Sequence, residues 1–161
     1  MVEPAKKIKY DKRTGLLKAE SYCAYQERSQ QEVRSKLYDW GLWPNEVEEV
    51  ISDLIGNNFL NEERFARAYV SGKFSIKHWG KIKIKQGLKL KKITDKMISV
   101  ALNTIDYDDY LETILKTAEK KLPFIKESDP YKRKYKLVIY LMGKGFESDL
   151  IIEVLKSNNL P

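Results

Sequence analysis

The chain has 161 residues and carries 30 Lys and Arg against 23 Asp and Glu, a net charge of +7 that favours a polyanion or an acidic protein as partner. Hydrophobic residues make up 42% of it, which excludes a wholly disordered chain, and no apolar run approaches the length of a membrane span. One cysteine and one histidine exclude an internal disulfide and a structural zinc site of the usual kind, so we expect neither metal nor cofactor.

Residues 1–17 are predicted to form a basic, flexible N-terminal tail. Pro4 and the pair Thr14-Gly15 interrupt this segment, and no helical period is sustained through it. It also lacks the hydrophobic stretch of a secretory signal, which together with the lone Cys23 predicts a cytoplasmic protein.

From Lys18 onward the pattern is helical, with frequent capping signals such as the capping box Ser29 to Glu32 and the first-turn proline Pro44. A strand is an alternative only where Lys81 to Lys85 alternate with isoleucines, and the helical spacing that continues from Gln86 favours a helix. The expected helices span 18–28, 30–40, 44–56, 62–77, 80–91, 95–103, 107–121, 130–143 and 148–157.

Apolar residues repeat through the chain with spacings of +4, +5, +5, +3 and +1. Three sets share this pattern: Val33, Leu37, Leu42, Val47, Val50 and Ile51; Ile84, Leu88, Ile93, Ile98, Ala101 and Leu102; Leu137, Leu141, Phe146, Ile151, Val154 and Leu155. One further helix precedes each set, so the body is predicted to be all-α, with three tandem three-helix repeats at 18–60, 61–105 and 106–161. Stacking such units end to end would give an elongated, curved helical rod with right-angled turns.

Three stretches of this body resemble motifs of a known family. The stretch Tyr25 to Val33 resembles the opening motif of the RecX family of recombinase regulators. The segment Phe59 to Tyr69 resembles the acidic-Arg-Phe-Ala signature that opens that family's second repeat, and Trp79 to Leu88 resembles its basic helix. The resemblance covers about 18–102, thins over 107–135 and recovers weakly near the end.

The resemblance implies tandem three-helix repeats in a curved rod. It also implies a regulator in recombination, DNA repair and the SOS response that binds the RecA filament on DNA and modulates, in the main inhibits, its ATPase and strand exchange. The expected partners are therefore the RecA recombinase filament and single- or double-stranded DNA held by a basic face, with no membrane and a monomeric state.

Charge is segregated along the chain. Residues 42–63, the acidic segment, hold six acids and no Lys or Arg, whereas residues 73–92, the lysine segment, hold eight lysines and no acid. Uncompensated like charges repel one another, which favours an anionic partner over the alternative of a solvated helix face. The predicted DNA- or filament-binding residues are Lys73, Lys77, Lys81, Lys83, Lys85, Lys89, Lys92, Arg64, Arg67, Lys132, Arg133 and Lys134.

Helical spacing refines this prediction for the lysine segment. Lys81, Lys85, Lys89 and Lys92 step by 4, 4 and 3, so they are expected on one helix face that could follow phosphates. Trp79 could stack on a base or pack between repeats, and packing is favoured. Arg64 could contact the partner or pair with acids of its own chain.

Enzymatic activity is not expected, because the sequence has no phosphate-binding Gly-rich loop and no motif around Cys23 or His78. The favoured function is a non-enzymatic modulator of a recombinase filament. The alternatives are a stand-alone, sequence-nonspecific DNA-binding helical-repeat protein and a protein–protein scaffold that never meets nucleic acid.

Overall fold

The computed structural model describes residues 9–161, and in that part of the chain every regular element is helical. A 3₁₀ turn over Leu122–Phe124 separates the seventh and eighth helices. The α-helices are α1 Lys12–Tyr25, α2 Gln30–Asp39, α3 Pro44–Gly56, α4 Glu62–Ser75, α5 Lys81–Leu90, α6 Asp95–Leu102, α7 Tyr107–Lys121, α8 Pro130–Gly143 and α9 Ser148–Ser157. The prediction of an all-α fold is confirmed, and the strand alternative for 81–85 is wrong.

Helix α1 begins at Lys12, well before the expected start at residue 18. Asp11 explains the early start, because its Oδ1 accepts a hydrogen bond from the Thr14 backbone N–H at 2.7 Å and so caps the helix. Residues 12–17 are therefore helical rather than part of an irregular tail. Residues 1–8 of the predicted tail lie outside the described residues.

Side-chain caps set most of the other helix starts. The predicted capping box is confirmed, since Ser29 Oγ accepts from the Glu32 N–H and Glu32 Oε2 accepts from the Ser29 N–H, both at 3.1 Å. Helix α9 spans Ser148–Ser157 as expected, and its N-cap is Glu147. Further caps are supplied by Asn61, Thr94, Asp106 and Asp129.

The three-repeat prediction agrees with the pattern of burial. All of the equivalent apolar positions in the three sets are buried except Leu102, which is half-buried. Each fully buried Val, Leu, Ile or Phe side chain among them contributes about 1.5–3 kcal/mol when it leaves water, so the shared spacing marks the residues that stabilise each helix triplet.

The chain divides into two compact units, and the second repeat contributes residues to both. The first unit comprises Met1–Ala66 and Lys91–Ile93, and its helices α1 and α2 both pack on α3. Its core is apolar and contains the free Cys23, whose pKa is raised by burial. That thiol is a small core side chain.

The second unit comprises Arg67–Leu90 and Thr94–Pro161. Helices α7, α8 and α9 pack on one another, and α5 packs on α6. Tyr110 lies at the centre of an aromatic group, with its ring centroid 5.9 Å from that of Phe74 and 5.6 Å from that of Phe146. Such contacts add to the free energy gained by burying the rings themselves.

Two glycines allow the backbones of the second and third repeats to touch. The Gly80 N–H donates to the Lys144 carbonyl at 2.8 Å, and the Ile82 N–H donates to the Gly145 carbonyl at 3.0 Å. A Cβ on Gly80 would lie 2.2 Å from the Gly145 carbonyl carbon, and Gly145 itself has a left-handed φ of 97°. Only glycine permits this approach, which fixes the start of α5 against the turn before α9.

Candidate nucleic-acid interface

Helix α5 presents an apolar face to the protein interior and lysines to solvent. Ile84 and Leu88 are fully buried, as the spacing predicts, while Lys85 and Lys89 are exposed. The expected row of four lysines is wrong at its last member, because α5 ends at Leu90. Lys92 follows in a left-handed turn with a φ of 59°.

The first turn of α5 is held by a buried tyrosine. The Tyr110 hydroxyl accepts a hydrogen bond from the Lys81 backbone N–H at 3.0 Å and donates one to the Glu147 carboxylate. Burial, and then the Glu147 contact, raise the pKa of Tyr110 far above its ordinary value, so the hydroxyl stays protonated. The Lys81 Nζ lies 5.0 Å from the Tyr110 ring centroid, which places this lysine as well.

Two lysines of the lysine segment lie against the ring of Trp79. The Nζ of Lys73 lies 4.7 Å from the Trp79 ring centroid, and that of Lys83 lies 4.4 Å from it. The indole is half-buried and attracts both ammonium groups through its ring quadrupole, an interaction of about 0.5–1 kcal/mol at exposed sites. Two like charges at one ring repel each other, and an anionic ligand would relieve that repulsion.

Other lysines of this segment are paired with acids outside it. Lys91 Nζ lies 2.8 Å from Glu32, and Lys89 Nζ lies 3.6 Å from Asp95. The argument that all eight lysines lack a compensating acid is therefore wrong for these two. Lys77, Lys85 and Lys92 are exposed.

Arg64 is committed to its own unit. Its Nε donates to Glu27 Oε1 at 2.5 Å, and its Nη atoms donate to the side chain and carbonyl of Asn58 and to the Phe59 carbonyl, at 3.1–3.3 Å. These contacts favour pairing within the chain over contact with a partner, the two roles that the sequence left open for Arg64. Arg67 follows on α4 and is exposed.

The three basic residues near the start of α8 have different surroundings. Lys132 and Lys134 are exposed, whereas Arg133 is half-buried and its Nη2 donates to the Leu122 carbonyl at 3.4 Å. The Nε of Arg133 is buried, and within residues 9–161 no hydrogen-bond partner faces it. Arg133 is thus placed against the 3₁₀ turn, while its two neighbours can meet a partner.

The acidic segment is bound into the first unit. Glu48 accepts from Arg34 at 2.7 and 3.1 Å, Glu49 pairs with Lys12 at 2.5 Å, and Glu62 accepts from the Gln30 N–H at 3.4 Å. The hydrogen bond from Arg34 lowers the pKa of Glu48, whereas burial raises the pKa of Glu62.

The structure adds a basic groove that the predicted residues do not include. It has a volume of about 290 Å³ and is lined by His78, Thr113, Lys116, Thr117, Lys120, Tyr140 and Lys144. The +4 spacing of Lys116 and Lys120 indicates one helix face, but only the tertiary structure brings His78 and Lys144 to it.

Two findings bear on other kinds of site. Within residues 9–161, no three His, Cys, Asp or Glu side chains are grouped so that they could hold a metal ion. Over the same residues, no helix has both the length and the apolar character needed to cross a membrane.

Three family models match the chain in succession: RecX, first three-helix domain, at 16–54; second three-helix domain, at 61–102; and third three-helix domain, at 108–155. The third match includes the region where the sequence resemblance thins. The crystal structure of RecX from Lactobacillus salivarius has a TM-score of 0.83 and 26% identity, covering 91% of this chain and 95% of that one.

Curated proteins named Regulatory protein RecX match over most of the chain. The Prosthecochloris aestuarii protein is 33% identical, covering 90% of this chain and 93% of its own length. The Bacillus licheniformis protein is 32% identical over 92% of this chain, which spans only 57% of that relative. Because the three domain models together account for most of its residues, the chain belongs to the RecX family of regulatory proteins.

Proposed function

We propose that the chain is a non-enzymatic regulator that binds the RecA recombinase filament on DNA and lowers its ATPase and strand-exchange activities. The observation that best supports the proposal is the pair Lys73 and Lys83 at the Trp79 ring, inside the second RecX domain. These charges converge where an anionic surface would stabilise them. Phosphate contacts of this kind position a protein without reading base sequence, as suits a regulator that must act along any DNA.

Inhibition follows if the chain binds one filament state more tightly than another. A ligand shifts an equilibrium only by its difference in affinity for the two states. The lysine segment would favour the conformation that presents the most phosphate or acidic surface to it. A filament held in that state would complete fewer cycles of ATP hydrolysis.

The proposal is tested by adding substoichiometric protein to RecA on single-stranded DNA and following ATP hydrolysis and strand exchange. We expect both to slow, and unchanged rates with the wild-type chain would sink the proposal. The matched variants are K77E/K85E/K92E, which reverses exposed charges of the lysine segment, and K96E/K126E/K156E, which reverses exposed charges elsewhere. Only the first should abolish the effect. Lys81 is left intact because it lies over the Tyr110 ring.

The lysine segment also supports a second candidate, a stand-alone, sequence-nonspecific DNA-binding helical-repeat protein. If about six phosphates were neutralised, the affinity for duplex DNA would fall with salt at a log–log slope near −5. Tight, salt-dependent binding to naked DNA, combined with no effect on the recombinase, would favour this candidate over the first.

A further inference from the structure

The basic side chains that line the groove come from three separate elements of the second unit. His78 comes from the turn after α4, Lys116 and Lys120 from α7, and Lys144 from the end of α8. A single solvated helix face would not produce this convergence. The groove is therefore a product of the tertiary fold.

The charges of the groove are weakly compensated. Lys116 Nζ lies 3.1 Å from Glu112 in an exposed pair, which contributes little in water. Lys144 Nζ approaches the Lys77 carbonyl at 3.5 Å, the limit of a hydrogen bond, and Lys120 is exposed. Ammonium groups around one cavity repel one another, and a bound anion would offset that cost.

The polar groups that remain select the kind of anion. The hydroxyls of Thr113 and Thr117 donate to backbone carbonyls of α7 at 2.8 and 2.6 Å, so their hydrogens are already used. The Tyr140 ring has the Lys121 ammonium 4.7 Å from its centroid. The groove thus offers cationic N–H donors, which suit phosphate oxygens and do not read base edges.

We propose that this groove binds phosphates of a nucleic-acid backbone, as a second contact beside the lysine segment. The polymer is favoured over a free phosphate because the groove is continuous with that segment. His78, which lines the groove, is also a residue of the lysine segment, and the groove residue Lys144 reaches the carbonyl of Lys77 in that segment. One strand can therefore occupy both surfaces. The inference rests on the proposed function only in taking nucleic acid as a partner.

The test compares K116Q/K120Q/K144Q with K96Q/K126Q/K156Q, which removes the same charge from exposed positions outside the groove. Binding of the full chain to a labelled oligothymidylate is measured by fluorescence anisotropy over a range of salt. The groove variant should bind at least about tenfold more weakly, with a salt slope smaller by about 2, because each phosphate contact on a single strand contributes about 0.7. Equal affinities and slopes for the two variants would overturn the inference.

A second arm separates a strand from a free phosphate. Pyrophosphate is titrated into both variants by calorimetry. If the groove variant loses pyrophosphate binding but binds the oligonucleotide as the control does, the groove serves a small anion and the inference is wrong. Thermal unfolding verifies that the variants are folded. If the triple variant does not fold, Lys120→Gln alone, at an exposed helix position, gives the same test with an expected slope change of about 0.7.

The groove and the proposed function can fail independently. If the wild-type chain leaves the recombinase unaffected while the groove variant still binds DNA more weakly than the control, the proposed function fails and the groove stands. If the chain slows the recombinase while both variants bind DNA equally, the groove fails alone.

Discussion

The acidic and lysine segments are both blocks of one sign of charge in the sequence, but the fold uses their side chains differently. In the acidic segment, Glu46 accepts from the Trp43 N–H at a helix start and Glu48 holds Arg34 in two hydrogen bonds. In the lysine segment, Lys73 and Lys83 lie over an indole ring and Lys77, Lys85 and Lys92 face solvent. A block of like charge is therefore available to a partner only where contacts within the fold have not already used it.

The difference follows from the side chains themselves. Carboxylates accept hydrogen bonds, and the first turn of every helix offers unpaired N–H donors with a favourable dipole. An ammonium group only donates, and its long stem carries it to a carboxylate, an aromatic face or water. Acidic side chains thus readily find hydrogen-bond donors within a helical fold, whereas lysine side chains more often remain available to a ligand.

The largest effect is expected from reversing the charges at Trp79. We expect K73E/K83E to weaken DNA binding by about 100-fold, since it replaces two attractive contacts with repulsive ones, and to change the free energy of unfolding by under about 1 kcal/mol. Fluorescence anisotropy and urea unfolding measure the two quantities. The matched variant E48K/E49K should lower the free energy of unfolding without weakening DNA binding, because it sets new lysines against Arg34 and Lys12. Equal losses of DNA affinity in both would contradict the comparison.

The next effect belongs to Arg64. Arg64→Ala should lower the free energy of unfolding by roughly 2–3 kcal/mol, because Glu27 and the carbonyls of Asn58 and Phe59 lose a charged donor. Arg64→Lys should recover little of this, since an ammonium cannot reproduce the planar fork. Urea denaturation gives the stability, and the salt slope of DNA binding serves as the control. A slope that falls in Arg64→Ala would assign this arginine to the interface instead.

Tyr110→Phe should cost about 1–2 kcal/mol, since the Lys81 N–H and the Glu147 carboxylate would lose their shared partner. Hydrogen exchange at the Lys81 amide should accelerate more than exchange at amides of α2 in the other unit. Uniform acceleration across the chain would indicate a loss of global stability without a local role for the hydroxyl.

The smallest effect is expected for Glu48→Gln, under about 1 kcal/mol at neutral pH because the pair with Arg34 is exposed. Arg34 holds the folded-state pKa of Glu48 below the ordinary 4.5, so its contribution is present above pH 4.5 and lost as pH falls through the folded value. Urea unfolding from pH 7 to 3 should show the variant and the wild type converging at the acid end. A difference that persists there would show that charge is not its source. Burial raises the pKa of Glu62, so its contribution to stability should fall as pH rises from 4.5 through the folded value.

The sequence predicted the helices and the core well because both rest on local rules. Residues such as Val33, Ile84 and Leu137 recur at helical spacing, and their burial follows from that period. The cap at Asp11 was not predictable, because no clear apolar period follows it in the sequence. The spacing of Lys92 predicts a position on the face of α5, but the helix ends at Leu90.

The candidate site was predicted only in part, because its geometry depends on contacts between distant residues. The pairing of Lys91 with Glu32 and the meeting of Lys144 with the backbone of Lys77 join positions far apart in the chain. No pattern of spacing encodes such pairs. The type of charge and its rough location were predictable, but which charges the fold leaves available was not.

The glycine contact between the second and third repeats has a consequence for measuring distance. Because Gly80 and Gly145 meet backbone to backbone, no side chain separates the start of α5 from the turn before α9, and this contact sets the distance between the two backbone segments. Phosphates along a strand recur at a regular repeat, so a strand that contacted lysines on both segments would have to match that backbone distance. Under the proposed nucleic-acid contacts, such a match would favour one spacing of phosphates over another.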